Sequence, residues 1–249
     1  MLNASIKVME LRSVVLVGGT SEIGLSILSA LNLDCESEVI LIGRKMPHAN
    51  ELLGLPKNLQ FVSIDLESEE DLKKLKITLN SLNTIDLAIA ASGYLPPENC
   101  DTDPIYVTKA LKVNSLGIVT LLAALSEKII NQGKSGHILY ISSVAATRPR
   151  IQNFTYGASK KTADFFAEGL SFKYKNQGLY VHTLRPGFVF TKMSKDFKPA
   201  PFAIGPREVA VAAVRGMKRG RRVIYAPSIL TFVMKALGLI PRIIFDRLS

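Results

Sequence analysis

The chain has 249 residues, long enough for one α/β core, and 47% of them are apolar. Two cysteines, Cys35 and Cys100, and three scattered histidines, His48, His137 and His182, exclude a disulfide framework and show no metal-ligand spacing, so no metal is expected. The net charge of +10 is uneven: residues 1–191 hold 19 Lys/Arg against 18 Asp/Glu, and residues 192–249 hold 12 against 3.

The N-terminus lacks a basic region followed by an apolar run, so no signal peptide is expected and the cytoplasm is the expected location. The first strand is Ser13-Val-Val-Leu-Val17. It leads into Gly18-Gly19-Thr20-Ser21-Glu22-Ile23-Gly24, after which apolar residues recur at helical spacing (Ile23, Ile27, Leu28, Leu31). Strand, glycine turn and helix in succession is the context in which such a loop cradles a dinucleotide pyrophosphate at a helix N-terminus. Further strands are predicted at Glu38–Ile42, Gln60–Ile64, Asp86–Ala90, His137–Ser142, Val181–Leu184 and Arg222–Tyr225, with helical stretches between them. Leu52–Lys57 and Lys198–Pro206 read as loops from their Pro and Gly content. The alternation predicts an α/β fold, a doubly wound parallel sheet with helices on both faces, as a single domain over residues 1–249. No uninterrupted apolar stretch of about 20 residues is present, so no membrane span is expected.

The chemistry concentrates in Tyr156-Gly-Ala-Ser-Lys160 and in Ser143, at the end of the fifth strand. Four-residue spacing on a helix puts Tyr156 and Lys160 on one face. A phenol has a reference pKa of about 10, and a neighbouring ammonium is expected to lower it toward the working range. A hydroxyl facing that pair can hydrogen-bond a substrate carbonyl.

These motifs, in this order and spacing, resemble the short-chain dehydrogenase/reductase family over nearly the whole chain. The family's glycine motif falls on Val17–Gly24, its sheet-stabilising Asn-Asn-Ala-Gly on Ala90–Gly93, its catalytic residues on Asn114, Ser143, Tyr156 and Lys160, and its Pro-Gly turn on Pro186-Gly187. The resemblance implies a Rossmann-type fold, a nicotinamide dinucleotide and carbonyl reduction. It implies cofactor contacts at Gly18, Thr20, Ser21, Glu22, Ile23, Gly24, Asp65, Leu66, Ala91, Gly93, Pro186, Gly187 and Val189, and at Tyr156 and Lys160. It also implies a mobile lid near Lys198–Pro206, and a homo-oligomer is expected. The sequence departs from the pattern in two places. Glu22 stands where the middle glycine belongs, and alanines replace both asparagines of the sheet motif. NAD-specific members of this fold place a carboxylate at the end of the second strand. Here Gly43 is followed by Arg44 and Lys45, so NADP(H) is expected over NAD(H), with Arg44 on the 2′-phosphate.

Three stretches, Gly18–Gly24 with its glutamate, Arg148–Tyr156, and Val223–Pro227 with the apolar tail, are similar to the decaprenylphosphoryl keto-pentose reductases. That likeness implies a keto sugar on polyprenyl phosphate as substrate, in a cell-wall arabinan precursor pathway, with an FAD-dependent oxidase as the partner that makes the ketone. The segment 218–249 begins with Lys218-Arg-Gly-Arg-Arg222 and continues as the apolar stretch Ser228–Phe245, broken by Pro241. This pattern suits an anionic membrane surface, and packing on the core or an oligomer contact suits it equally. No nucleic-acid motif accompanies the basic patch, so nucleic acid is not an expected partner. Two other functions remain open at this level: reduction of a different ketone, such as a 3-oxoacyl thioester or a small ketone, and non-catalytic sensing of NADP(H).

Overall fold

The computed structural model describes residues 10–240. Seven strands, β1 (Ser13–Val17), β2 (Glu38–Gly43), β3 (Leu59–Ser63), β4 (Leu87–Ala90), β5 (Gly136–Ile141), β6 (Leu179–Pro186) and β7 (Val223–Ala226), form one sheet in the order β3-β2-β1-β4-β5-β6-β7, with every pairing parallel. The central strands are buried on both faces, as parallel strands under helices must be, and their sequences are correspondingly unbroken apolar runs. β6 is longer at both ends than its apolar run suggests. Its register with β5, from Gly136↔Leu179 to Ile141↔Leu184, recruits Leu179 and Tyr180, and pairing with β7 carries it to Pro186.

Alternate residues of each strand feed two cores. Val15 and Val17 of β1 face a cluster that includes Leu75 and Leu79 of α2 (Glu69–Ser81), Leu121, Leu122 and Leu125 of α4 (Ile118–Asn131), and Ala163, Ala167 and Leu170 of α5 (Phe154–Lys173). The cluster on the other face joins Val14 and Leu16 to Ile27 and Leu28 of α1 (Glu22–Ala30) and to Val209, Ala213 and Met217 of α6 (Pro206–Lys218). The helix before α4, α3 (Pro104–Ala110), begins with Asp103 accepting the Ile105 N–H at 2.8 Å and with Pro104 in the first turn, where its missing N–H costs nothing. A wider π-helical turn, Leu111–Gly117, joins α3 to α4.

The continuous helix 104–131 is long and apolar enough by length and composition to cross a membrane, although it holds no uninterrupted apolar run of about 20 residues. Half of that apolar window is buried inside the fold, against the sheet, α2 and α5, which marks it as a core helix.

The tail after β7 forms α7 (Leu230–Leu239), and Pro241, Arg242, Ile243, Ile244 and Phe245 lie outside the described residues. Its inner side packs on the domain. Leu230 is buried so close to Gly187 that a Cβ there would sit 2.7 Å from Leu230 Cδ1. The Thr147 hydroxyl donates to Met234 Sδ at 3.4 Å, and Arg148 donates to the Leu237 and Ile240 carbonyls. Ile229, Phe232 and Leu239 remain exposed on the outer side.

Candidate active site

The strand order reverses between β1 and β4, so their C-terminal ends diverge and open a crevice. Gly18 begins the turn out of β1 with φ +94°, a conformation that side chains resist, and a Cβ there would lie 2.7 Å from Ser92 N. The Gly18 and Gly19 N–H groups both donate to Ile42 O, at 2.8 and 3.0 Å, which ties the turn to β2. Ser21 caps α1 by accepting the Gly24 N–H at 3.2 Å. Gly24 itself lies under the loop, where a Cβ would sit 2.7 Å from Leu16 Cδ1; its role here is close packing of α1 on β1.

A cavity of about 1050 Å³ runs from this turn across the C-terminal ends of the strands. Its walls include Gly18, Thr20, Ser21, Glu22, Ile23, Arg44, Asp65, Leu66, Ala91, Gly93, Ser143, Tyr156, Lys160, Pro186, Gly187 and Val189, which brings these candidates together around one space. Gly24 and Asn114 are the two that do not line it. Asn114 is fully buried in the π-helical turn, where its Oδ1 accepts the Tyr94 N–H (2.8 Å) and its Nδ2 donates to Tyr94 O (2.7 Å) and Ser159 Oγ (2.9 Å). These bonds pin the loop after β4, the segment whose two usual asparagines are alanines here.

Ser143 follows the end of β5, with Oγ accepting the Ala145 N–H at 3.1 Å. Tyr156 and Lys160 project from the first two turns of α5. Lys160 is buried, and its ammonium donates to Ile141 O at 3.0 Å. A Cβ on Gly93 would lie 3.2 Å from Lys160 Nζ and 3.4 Å from Asn114 Oδ1, so these three groups share one corner. Burial pushes the Tyr156 phenol up to about 12, partly offset by its hydrogen bond with Ser143, and pushes Lys160 down to about 8, against the influence of Asp164. The phenol is therefore raised where a depression was expected, because desolvation outweighs the Ser143 hydrogen bond.

At the other end, Arg44 is exposed but carries a carboxylate neighbour that the sequence did not reveal: Glu67, from the loop after β3, stands 3.5 Å from Nη1. Asp65 Oδ1 accepts the Glu67 N–H at 3.0 Å and so shapes that loop.

Beyond Gly187 the chain makes an excursion over residues 188–204, longer than the loop predicted at Lys198–Pro206 because it begins straight after β6, and ending short of Pro206, which already opens α6. It is held at its base by the Val189↔Ile204 bridge. At its middle, Lys192 N–H donates to Glu22 Oε2 at 2.6 Å and Lys192 Nζ pairs with Glu51 Oε1 at 2.6 Å. Thr191, Lys192, Glu51, Ser92 and Arg150 also line the cavity and were not singled out from the sequence. Thr191, five residues after Pro186, follows a motif that could have flagged it. Glu51 pairs across 141 positions and left no local signal.

The residues fit an elongated anionic dinucleotide: a positive-φ glycine turn at a helix N-terminus, a side-chain-free corner at Gly93, and a cavity of matching size.

The short chain dehydrogenase family model matches residues 12–201. The chain is 33% identical over 165 residues to an uncharacterized oxidoreductase of Mycobacterium tuberculosis (strain H37Rv), a match that covers 66% of each chain and so just under two thirds of that relative's length. It is 29% identical over 242 residues to an uncharacterized oxidoreductase of Streptomyces coelicolor, covering 95% of this chain and 96% of the relative. A short chain dehydrogenase from Burkholderia cenocepacia J2315, in complex with NADP, has a TM-score of 0.75 at 21% identity, with 94% of this chain and 100% of the other covered. The chain belongs to the short-chain dehydrogenase family.

Proposed function

We propose that this short-chain dehydrogenase reduces a ketone to a secondary alcohol with NADP(H), and that the ketone is the keto group of a pentose carried on polyprenyl phosphate. The observation that carries the reductase reading is the convergence of Ser143, Tyr156 and Lys160 on one cavity, continuous with the Gly18 turn. When bound, a nicotinamide supplies hydride to the carbonyl carbon. Tyr156 holds its proton firmly at working pH, since its phenol is pushed up to about 12, and gives it to the carbonyl oxygen as alkoxide character develops there. The Ser143 hydroxyl donates to the same oxygen and orients the ketone. A protonated Lys160, one helical turn beyond Tyr156, favours the phenolate that forms as the Tyr156 proton leaves. Asn114 fixes the loop against which Lys160 rests and joins it to the proton-relay route by family likeness.

In this reading Arg44 pairs with the 2′-phosphate, and Glu67 beside it limits how much that pairing discriminates. The polyprenyl-phosphate substrate is supported by the likeness of Gly18–Gly24, Arg148–Tyr156 and the tail, and by α7, whose inner side packs beside Gly187 at the cavity while Phe232 and Leu239 face outward. In this reading an FAD-dependent oxidase supplies the ketone, and the tail brings the enzyme to the anionic membrane that holds the lipid.

Single-turnover NADPH consumption with a panel of ketones tests the reading. A lipid-phosphate keto pentose should outpace a 3-oxoacyl thioester and a small ketone. If only the thioester turns over, the substrate assignment fails, and if no ketone does, the sensor reading replaces it.

A further inference from the structure

Four residues beyond Lys160 on α5, Asp164 occupies the same helix face and is enclosed, with 1% of its surface exposed. Its carboxylate makes no ion pair with Lys160. Arg185, the residue before Pro186 on β6, holds it instead with two bonds, Nε to Oδ1 at 3.1 Å and Nη2 to Oδ2 at 2.5 Å. Arg185 is steadied in turn by β7, donating from Nη1 to the Tyr225 hydroxyl at 3.1 Å, with its guanidinium 5.8 Å from that ring's centre. A bidentate pair of this kind is geometrically specific. It is not an efficient source of stability, because desolvating both charges offsets their attraction and apolar residues of similar volume pack as well. What the pair does accomplish is to fix a carboxylate one helical turn behind the buried ammonium, with both oxygens already taken.

We propose that Asp164 and Arg185 are positioning residues for Lys160. The carboxylate's field keeps the buried lysine protonated at neutral pH, and Arg185 prevents that carboxylate from capturing the ammonium. Nζ is thereby left on Ile141 O and on the Gly93 side of the cavity, where its charge acts on Tyr156. The proposal rests on reading Lys160 as part of the reducing machinery, and it adds two residues that touch neither substrate nor cofactor.

The groups around Lys160 support this division of labour. On its own helix stand Tyr156 and Asp164. From β5 comes Tyr140, whose ring centre lies 5.4 Å from Nζ and whose hydroxyl donates to Lys160 O at 3.4 Å. Asn114 approaches from the π-helical turn, and Arg185 and Tyr225 lie behind Asp164 on β6 and β7. Burial raises both Tyr140 and Tyr156, so neither carries a negative charge at neutral pH. Asp164 is the group that works against desolvation of the lysine. A lysine that lost its proton near neutrality would have no charge with which to hold the phenolate as Tyr156 gives up its proton.

The test is the titration of the Lys160 side chain by its ¹³Cε resonance, assigned with Lys160→Arg. It is measured in the wild type, in Asp164→Asn, and in the double variant Asp164→Leu/Arg185→Met, which replaces the ion pair with apolar side chains so that the fold survives. The midpoint should lie at about 8 in the wild type. It should fall by about one unit or more in Asp164→Asn, the size of shift that loss of a nearby opposite charge produces, and in the same direction but by less in the double variant, which removes the more distant Arg185 charge as well. The alkaline limb of the ketone-reduction rate should move down with it. A pair that merely braces the fold would change Tm and leave the Lys160 midpoint in place. That result in the folded double variant, or a wild-type midpoint below about 7, overturns the proposal. The titration needs no substrate, so a shifted midpoint in a protein that reduces no ketone would refute the reductase reading while the positioning of Lys160 stood.

Discussion

Glu22 accepts the main-chain N–H of Lys192 at 2.6 Å, across 170 positions of sequence, and so ties the loop after β6 to the first turn of α1. A carboxylate at the mouth of a phosphate-binding turn is electrostatically awkward for an anionic ligand. The bond to Lys192 gives it a second function as a latch, and the Lys192–Glu51 ion pair seats the same residue on the far side. Both contacts are accessible to solvent, so each is expected to be weak alone.

Replacing Glu22 separates its two effects. Glu22→Gln removes the charge and should tighten NADPH binding by roughly fivefold, the equivalent of about 1 kcal/mol. Glu22→Gly also removes the latch, so trypsin should cut after Lys192 or Lys195 several times faster than in the wild type. Unchanged cleavage in Glu22→Gly would show that the contact contributes nothing to closing the loop.

Tyr156→Phe keeps the ring and deletes only the hydroxyl, the proposed proton donor. Turnover should fall by about two to four orders of magnitude while NADPH still binds, as a fluorescence titration would show. A variant that turns over at the wild-type rate would remove Tyr156 from the mechanism.

Arg44→Ala should weaken NADPH binding more than NADH binding. Glu67 tempers the effect, because it already partly neutralises the guanidinium at 3.5 Å. Glu67→Gln, which frees Arg44, should therefore raise the NADPH preference. Equal changes in the two dissociation constants for both variants would take the 2′-phosphate away from Arg44.

His137 and His182 form a buried pair under the far end of the sheet. The His182 Nδ1 proton is directed at Arg221 O (2.7 Å), which leaves Nε2 to accept from His137 Nδ1 at 3.1 Å, and the His137 ring stacks on Tyr180. Burial pushes His137 down to about 3 and lowers His182 as well. In the unfolded chain both take up protons near 6.5, so their contribution to stability is complete above that pH and is lost as pH falls toward 3. For His137 alone the loss by the bottom of that window is on the order of 3–5 kcal/mol. Thermal unfolding of the wild type should therefore drop steadily below about pH 6.5, and His137→Gln should flatten the slope. A Tm that holds constant down to pH 4.5 would contradict the buried neutral pair.

The tail should bring the protein to anionic liposomes in a salt-dependent manner, with Lys218, Arg219, Arg221 and Arg222 each adding roughly 1 kcal/mol. Truncation after Ala226 is a poor test, because it would strip Leu230 from Gly187 and the α7 carbonyls from Arg148. Phe232→Ser/Leu239→Ser changes only the exposed side of α7 and should reduce sedimentation with liposomes by several fold. Failure of the wild type to co-sediment at low salt would assign the tail to packing alone.

Periodic and short-range features are legible in the sequence itself. Apolar runs announced the strands at the centre of the sheet, because parallel strands covered on both faces, such as β1 and β4, leave little room for polar side chains, whereas β3 is only partly buried and β6 carries His182, Thr183 and Arg185. Four-residue spacing placed Tyr156 and Lys160 together, since a helix brings such pairs to one face whatever surrounds it. The glycine turn was equally plain, because Gly18 must adopt a φ that other residues resist. Packing settled the rest. Whether Lys160 lowers its tyrosine depended on how completely both were enclosed, and enclosure is a sum over β5, the π-helical turn and the loop after β4. Glu67 beside Arg44, Lys192 on Glu22 and Arg185 on Asp164 join residues 23, 170 and 21 positions apart. No local pattern encodes such meetings; they follow from where a sheet of this order sets its loops.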